Sequence, residues 1–303
     1  AGLAQGSPSQ PVRVIIPHAA GGPHDIAGRI VFQKMSELLG QQFVIETRPG
    51  AGSTIGTAVV AKSPPDGYTI MVHSTTHIAS AHLYKKLPYD TLKDFIGVTP
   101  IAQQVGILGV HPSLPAKTVK ELIGLAKARP NDITYASAGS GSYVHLAMSL
   151  FNTMAGIKMT HVPYKGGGLA GIGLAAGEVQ VMIATYALFS PFLPRKQIRL
   201  IGVTSDTRIK LLPDLPTIAE AGVPGYEFAA WVGVFTPAGV PRPIIDTLHS
   251  SLKKTLSDPE VEKRLGDLAL DPMFMSPEDF ARRLKSDYDK YAKVVAQSGA
   301  KVE

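Results

Sequence analysis

Residues 12–29 carry residue types in the order that an anion-binding turn requires. The β-branched run Val12–Ile16 predicts a strand, and Gly22, Pro23 and Asp25 fit the N-cap, first and third positions of a helix. Such a strand–turn–helix directs backbone N–H groups and the positive end of the helix dipole at one point, where a carboxylate or phosphate would bind. An ordinary connection in an α/β sheet has the same pattern, so this stretch alone leaves both interpretations open.

Short hydroxyl side chains and glycines follow other predicted strands in both halves of the chain. Residues 74–76 (Ser-Thr-Thr) follow a predicted strand at 68–72, and the turn 137–142 follows one at 133–137. Hydroxyls and free backbone amides can orient a carboxylate without reacting with it. Generic loop composition is the alternative, and the agreement between the two halves favours ligand binding.

Several catalytic and cofactor motifs are incomplete. Residues 50–56 depart from the dinucleotide fingerprint, because the third glycine falls one place late and no suitably placed acidic residue follows. Residues 165–168 lack the Gly-Lys-Ser/Thr element of a P-loop, and the sequence contains no Gly-x-Ser-x-Gly elbow. With no cysteine, disulfides, thiolate metal sites and cysteine nucleophiles are excluded. We therefore expect no cofactor and no catalytic group.

The histidines allow more than one interpretation. A spacing of four residues places His73 and His77 together only on a helix, and both begin at a strand end, so no metal site is expected there, even with His82 nearby. These histidines are either neutral hydrogen-bond donors at the ligand site or surface residues. His145 lies one turn into a predicted helix and has the same two interpretations, with a buried imidazole bonded to backbone favoured.

Strands and helices alternate in two series, which predicts an α/β fold with parallel or mixed sheets and binding loops at the carboxyl ends of the strands. Apolar runs near 98–110 and 228–235 carry the chain across from one series to the other and back. Two crossings predict two lobes joined by a hinge, with the ligand in the cleft between them. Lobe 1 would comprise residues 1–101 and 229–303, and lobe 2 residues 102–228.

Composition narrows the class of protein further. The chain has 303 residues, of which 45% are hydrophobic and 18% charged, and its net charge of +6 is scattered along the sequence. No basic run predicts nucleic-acid binding, and no stretch is apolar enough for a membrane span. Residues 1–10 are loose and polar, which predicts the start of a processed chain rather than a signal peptide.

A series of short motifs resembles the substrate-binding proteins of tripartite tricarboxylate transporters, the Bug family. The resemblance extends from Pro11 to about Gly299. Its most specific motifs are Gly21-Gly-Pro-His-Asp25, Glu46-Thr-Arg-Pro-Gly-Ala-Gly52, Pro65-Asp-Gly-Tyr68, Tyr84-Lys-Lys-Leu-Pro-Tyr-Asp90, Tyr135-Ala-Ser-Ala-Gly139, His161-Val-Pro-Tyr-Lys-Gly166, Asp214-Leu-Pro-Thr217 and Pro237-Ala-Gly239.

The resemblance implies a periplasmic binding protein of the two-lobe, type II-like fold. Such a protein closes around a small carboxylate, with two ordered waters against the first-strand loop. It then delivers the acid to the membrane components of a tripartite tricarboxylate-type transporter. Known family ligands include citrate-like, acidic amino-acid, aromatic and aliphatic dicarboxylic compounds, and proteins of this layout can work as monomers.

This sequence departs from the family pattern at four places. Residues 18–20 (His-Ala-Ala) stand where the family usually has an aromatic residue and prolines, and His24 replaces a small hydroxyl residue. Ser140 takes a place often held by Asn, and residues 184–186 (Ala-Thr-Tyr) replace an Asp-Asn or similar polar pair. The loss of an acidic group at the last position favours a plain or aromatic dicarboxylate over an amino acid.

Together these patterns predict non-catalytic capture of a small organic acid, a di- or tricarboxylate, by hinge closure. Two alternatives would use the same cleft: an α/β enzyme acting on a small carboxylic acid, and a ligand-sensing partner of a membrane receptor. The predicted ligand-binding residues all lie in or beside the strand-end loops: His18, Ala20, Gly21, Gly22, Asp25, Ser74, Thr75, Thr76, Ser137, Ser140, Gly141, Ser142, Tyr164, Lys165 and Thr185.

Overall fold

The computed structural model describes residues 10–18 and 20–298, and the statements below concern that part of the chain. Predictions that involve Ala19 or residues 1–9 lie outside it. The chain divides into two compact units. Unit 1 extends to Gln103 and resumes from Trp231 to Ala292, whereas unit 2 comprises Gln104 to Ala230 and, of the remaining described residues, 293–298.

The strands within the described residues are, in chain order, β1 (Val12–Ile16), β2 (Phe43–Thr47), β3 (Thr69–Ser74), β4 (Phe95–Gln104), β5 (Ile107–Val110), β6 (Thr134–Ser137), β7 (Thr160–Pro163), β8 (Val181–Ala184), β9 (Arg199–Val203), β10 (Ala230–Pro237) and β11 (Leu270–Pro272).

The α-helices in the same part of the chain are α1 (Pro23–Leu39), α2 (Thr54–Ala61), α3 (Thr76–Leu83), α4 (Val119–Ala128), α5 (Tyr143–Ala155), α6 (Gly167–Ala176), α7 (Tyr186–Phe189), α8 (Arg242–Leu256), α9 (Pro259–Gly266) and α10 (Pro277–Ser298).

The sheet of unit 1 has the strand order β11-β4-β10-β3-β1-β2. β1 pairs in parallel with both β2 and β3, and β10 lies antiparallel to β3. The carboxyl ends of β1, β2 and β3 therefore meet at one edge of the sheet, as the alternating pattern of strands and helices predicted.

The core of unit 1 lies between this sheet and the helices that cover it. Helix α1 buries Val31 and Met35, which pack in one apolar cluster with Leu248 and Leu252 of α8. These residues recur every three or four positions, so each helix buries one stripe. Gly40 ends α1 with φ of +61°, a left-handed conformation that glycine adopts without a Cβ penalty.

The sheet of unit 2 has the order β7-β6-β8-β5-β9. β6 is parallel to β7 and β8, while β5 is antiparallel to β8 and β9. Leu174 of α6, Val144 of α5, Met182 of β8 and Phe189 of α7 belong to its core. The loops after β6, β7 and β8 consequently leave this sheet at a single edge.

The expected α/β class, with parallel and mixed sheets flanked by helices, is confirmed. Three elements were not predicted from the sequence, the helices α3 and α7 and the short strand β11. Helix α3 is buried on most sides, at His77 and Ile78 as well as at Leu83, so it lacks the polar face that produces a helical period. None of the described helices is both long and apolar enough to cross a membrane.

Candidate functional site

The predicted ligand residues of unit 1 lie in two loops at one edge of its sheet. β1 and β3 are neighbours in parallel register, with Ile15 opposite Met71, so the loops that follow them leave the sheet side by side. His18 and residues 20–22 lie in the first loop, and residues 74–76 lie at the junction of β3 and α3. The fold thus brings together residues about 55 positions apart, as the pair His18 and His73 shows.

The Asp25 side chain holds the β1–α1 turn together through a hydrogen bond with the turn's own backbone. Helix α1 begins as predicted, with Gly22 as the N-cap and the carboxylate of Asp25 in the first turn. That carboxylate is buried, accepts a hydrogen bond from the Gly21 N–H at 2.8 Å, and pairs with Arg29 Nε at 3.0 Å. Burial acts to raise the pKa of Asp25, but the hydrogen bonds from Arg29 and Gly21 hold it below its usual value. The Gly21 N–H is therefore already bonded within the protein.

The hydroxyl residues at the end of β3 form a local network. Ser74 Oγ donates to Thr76 Oγ1 at 3.0 Å and accepts from the Thr76 N–H at 3.3 Å. The Thr75 N–H donates to the Trp231 carbonyl at 3.3 Å. Ser74 and Thr75 are buried and Thr76 is half-buried. Thr76 is thus the member of the group with the most exposed side chain.

Four imidazoles form a row behind the first loop. The rings of His24 and His18 stack with centroids 4.0 Å apart, and His18 Nε2 lies 3.2 Å from His73 Nδ1. The ring of His77 follows at 5.2 Å from that of His73. His73 and His77 are fully buried, so the interpretation as surface residues is wrong. The two rings meet because β3 runs directly into α3, which the sequence did not predict.

Burial lowers the pKa of all four imidazoles. The pKa of His18 falls to about 4, as does that of His77, where a hydrogen bond to the Thr91 carbonyl opposes the effect. The pKa values of His24 and His73 lie well below the usual 6.5. The row is therefore uncharged at neutral pH, and the first loop presents polar groups without an imidazolium cation. In the described part of the chain, no three His, Asp or Glu side chains are grouped as metal ligands would be.

The β6–α5 turn of unit 2 is held by two stacked histidines. The rings of His145 and His161 lie 4.0 Å apart at an interplanar angle of 12°. Ser137 Oγ lies 2.6 Å from His161 Nε2, and the Gly141 N–H donates to His145 Nδ1 at 3.1 Å. His145 is buried and bonded to backbone, which confirms the favoured interpretation. Ser142, the N-cap of α5, accepts a hydrogen bond from the His145 N–H.

The other predicted residues of unit 2 lie near the same edge of its sheet. The Tyr164 hydroxyl, just after β7, donates to Glu178 Oε2 at 3.0 Å, and its N–H donates to the Ser137 carbonyl. Thr185 follows β8 as the N-cap of α7 and is half-buried. Lys165 and Ser140 are exposed. The loops after β6, β7 and β8 therefore place one cluster of hydroxyl, amide and cationic groups at this edge, although the Tyr164 hydroxyl itself is directed to Glu178, which precedes β8.

Three histidines outside the list of predicted ligand residues contact residues on that list, and one of them, His73, had been expected either at the ligand site or at the surface. His24 and His73 flank His18 in unit 1, and His161 contacts Ser137 in unit 2. His73 and His161 lie within strands β3 and β7. Only knowledge of which face of the strand each side chain occupies could have predicted these contacts. His24 was visible as a departure from the family pattern.

Comparison with known proteins agrees with this architecture. The model of the tripartite tricarboxylate transporter family receptor matches residues 27–300. A structure of R. palustris Rpa4515 with adipate is 36% identical, covers 97% of this chain and 99% of its own, and superposes with a TM-score of 0.83. The periplasmic binding protein BugD is 30% identical, with 98% of this chain and all of that chain (100%) covered and a TM-score of 0.79. MatC from Rhodopseudomonas palustris with bound malate is 31% identical, with coverages of 95% and 99% and a TM-score of 0.77.

These matches confirm the resemblance drawn from the short motifs and the periplasmic-binding-protein fold. The matching family consists of transporter receptors, and Rpa4515 and MatC hold the small carboxylic acids adipate and malate. The alternative of an α/β enzyme therefore does not hold. The chain belongs to the tripartite tricarboxylate transporter receptor family, the Bug family, as a solute-binding protein and not an enzyme.

Proposed function

We propose that this protein is a periplasmic receptor that captures a small dicarboxylate and delivers it to the membrane components of a tripartite tricarboxylate-type transporter. The observation that carries the proposal is the pair of strand-end clusters, each of which gathers hydroxyls and backbone amides at the carboxyl ends of parallel strands. The neighbours whose structures contain adipate and malate supply the ligand class. The neighbour BugD is described as a periplasmic binding protein, which supports a periplasmic location.

The proposed mode of capture is hinge closure of the two units, acting as lobes, around one ligand. The loop after β1 and residues 74–76 would hold one carboxylate, and residues 137–142 with Thr185 would hold the other end, while the Tyr164 hydroxyl stays bonded to Glu178. A ligand that bridges both lobes stabilises the closed state by its differential affinity for that state. Small-angle scattering tests this step, because saturating ligand is expected to reduce the radius of gyration of a monomer. An unchanged radius would reject closure while leaving capture intact.

We propose plain or aromatic dicarboxylates over amino acids as ligands. Residues 184–186, from the end of β8 to the start of α7, carry no acidic side chain that could pair with an ammonium group. Isothermal titration calorimetry against adipate, malate, citrate, terephthalate and glutamate is the direct test. Binding of at least one dicarboxylate with glutamate silent is the expected result. No response to any acid would refute capture, and tightest binding of glutamate would refute the ligand class.

One variant tests whether the first loop belongs to the site. His18→Ala is expected to weaken or redirect acid binding while the far-UV circular dichroism spectrum and melting temperature stay near those of the wild type. His111→Ala is the matched control, because His111 follows β5 at Val110, which pairs with the first residue of β8, Val181. It therefore lies at the sheet edge opposite the loop cluster of unit 2. Equal affinities of the two variants for the acids would mean that His18 and the first loop do not contact the ligand.

A further inference from the structure

The hydrogen bonds of His73 determine where the protons of the histidine row reside. Its Nδ1 accepts the Ser74 N–H at 2.8 Å, so this nitrogen carries a lone pair. A neutral imidazole has a single N–H, which in His73 must then be on Nε2. The ring is fully buried, and its Nε2 has no hydrogen-bond partner among the described residues. The alternative tautomer would point an N–H at the Ser74 N–H, so the proton arrangement of His73 is fixed by the backbone.

The proton arrangement of His18 follows from that of His73. His18 Nε2 approaches the same Nδ1 atom of His73 at 3.2 Å, and only a donated N–H is compatible with a lone pair there. Neutral His18 therefore donates its single N–H, on Nε2, to His73 Nδ1. Its second nitrogen, Nδ1, carries a lone pair, and a lone pair repels a carboxylate oxygen. His18 can contact a carboxylate through Nδ1 only when a second proton is present.

The ionisable groups that surround His18 do not supply that proton. From α1, His24 stacks on its face, and Asp25 beyond it is paired with Arg29. From β3 and α3, His73 and His77 are neutral and buried. Burial lowers the pKa of His18 to about 4, so the free protein does not hold the extra proton at neutral pH. The proton must come from solvent or with the ligand.

We propose that capture of a carboxylate at His18 takes up as much as one proton, which is shared between His18 Nδ1 and a carboxylate oxygen of the ligand. Imidazolium with carboxylate and imidazole with carboxylic acid are two arrangements of the same set of atoms, so both give the same count of one proton per ligand. The inference rests on the proposed function and concerns the same site. Release of the acid returns the proton to solvent, which makes affinity depend on pH.

The expected pH window follows from the same contact. A carboxylate within hydrogen-bond distance raises the pKa of an imidazole by about 1–3 units, which would bring His18 in the complex to roughly 5–7. Because the complex then binds a proton that the free protein does not, the association constant rises as the pH falls, by up to about tenfold per unit. Above about pH 8 neither state holds the proton, and the dependence disappears.

Calorimetry measures this proton directly. Adipate, or malate if it binds more tightly, is titrated into the full chain at pH 6 and pH 8 in buffers of different ionisation enthalpy, which yields the number of protons taken up. His18→Gln retains an N–H donor toward His73 but cannot titrate. His111→Gln is the control for loss of a histidine elsewhere. The wild type and His111→Gln are expected to take up a larger fraction of a proton at pH 6 than His18→Gln, and little at pH 8.

The outcomes separate the two proposals. Binding of an acid with equal proton counts in the wild type and in His18→Gln would overturn the inference and leave the proposed function standing. The inference is likewise overturned if His18→Gln fails to fold and the wild-type count does not differ between pH 6 and pH 8 after correction for the acid's own titration. If neither acid binds the wild type, the proposed function fails and the inference falls with it.

Discussion

Gly56 offers a sharp test of how the first loop is supported. It lies buried in α2, and a Cβ added there would lie 2.7 Å from the carbonyl oxygen of Arg48. The same atom would lie 3.0 Å from Cβ and 3.1 Å from Cα of Pro17, the residue before His18. None of these atoms is the end of a flexible side chain. In Gly56→Ala, therefore, either α2 or the start of the β1–α1 loop must move.

The magnitude follows from two opposing effects. Overpacking a closely fitted site costs about 1–3 kcal/mol in the free energy of unfolding. Replacing glycine by alanine inside a helix returns about 1 kcal/mol through helix propensity. Gly124 is the matched control, since it lies inside α4 and a Cβ there would meet no atom within 4 Å. Gly124→Ala should gain only the stabilisation from helix propensity. The free energies of unfolding of the two variants should therefore differ by about 1–3 kcal/mol, the cost of overpacking.

Urea denaturation followed by circular dichroism measures both variants. Fluorescence of Trp231, the single tryptophan, reports on unit 1, which contains Gly56. We expect Gly56→Ala to unfold at lower urea than Gly124→Ala and to bind adipate more weakly, because the shifted loop carries His18. Equal stability of the two variants would refute the close contact of α2 with Pro17.

Three further predictions concern other contacts. Trp231→Phe removes the 2.8 Å hydrogen bond from its indole to buried Asp287, so urea denaturation should show a loss of about 1–3 kcal/mol; an unchanged midpoint would contradict the contact. His77 has a pKa of about 4 in the folded protein and about 6.5 in the unfolded chain, so the unfolded chain binds the proton first as the pH falls. The free energy of unfolding should therefore decrease between about pH 6.5 and 4, by about 3 kcal/mol for this group. Denaturation at stepped pH should show a shallower fall in His77→Gln, and an equal slope would contradict it. Tyr164→Phe loses its bond to Glu178, with an expected cost of about 0.5–1 kcal/mol and a change in adipate affinity of less than about threefold. A larger loss of affinity by calorimetry would mean that the hydroxyl binds ligand directly.

Elements with strong local signals were predicted from the sequence. The strand Val12–Ile16 has the predicted bounds, His145 lies in the first turn of helix α5 as expected, and α1 begins with the predicted N-cap at Gly22. These signals depend on residues within one or two turns of each other: β-branched runs, capping residues and apolar spacing. The α/β class and the edge at which the loops gather follow from them, because parallel strands joined by helices place their carboxyl ends together.

The partners of the polar side chains were decided by tertiary structure. The sequence placed Gly21 among the predicted ligand residues, and in the fold its N–H donates to the carboxylate of Asp25. The spacing argument kept His73 and His77 apart, but the direct passage from β3 into a buried helix brings their rings together.

The amino-acid sequence by itself determined the class of fold, the family and the loops that gather at the sheet edges, because each is written in contiguous motifs. Which nitrogen of His18 carries its proton was decided only by the tertiary structure. That choice depends on the burial of His73, 55 positions away in the chain, and on the hydrogen bond that His73 accepts from the Ser74 N–H. Neither can be predicted from the residues near His18.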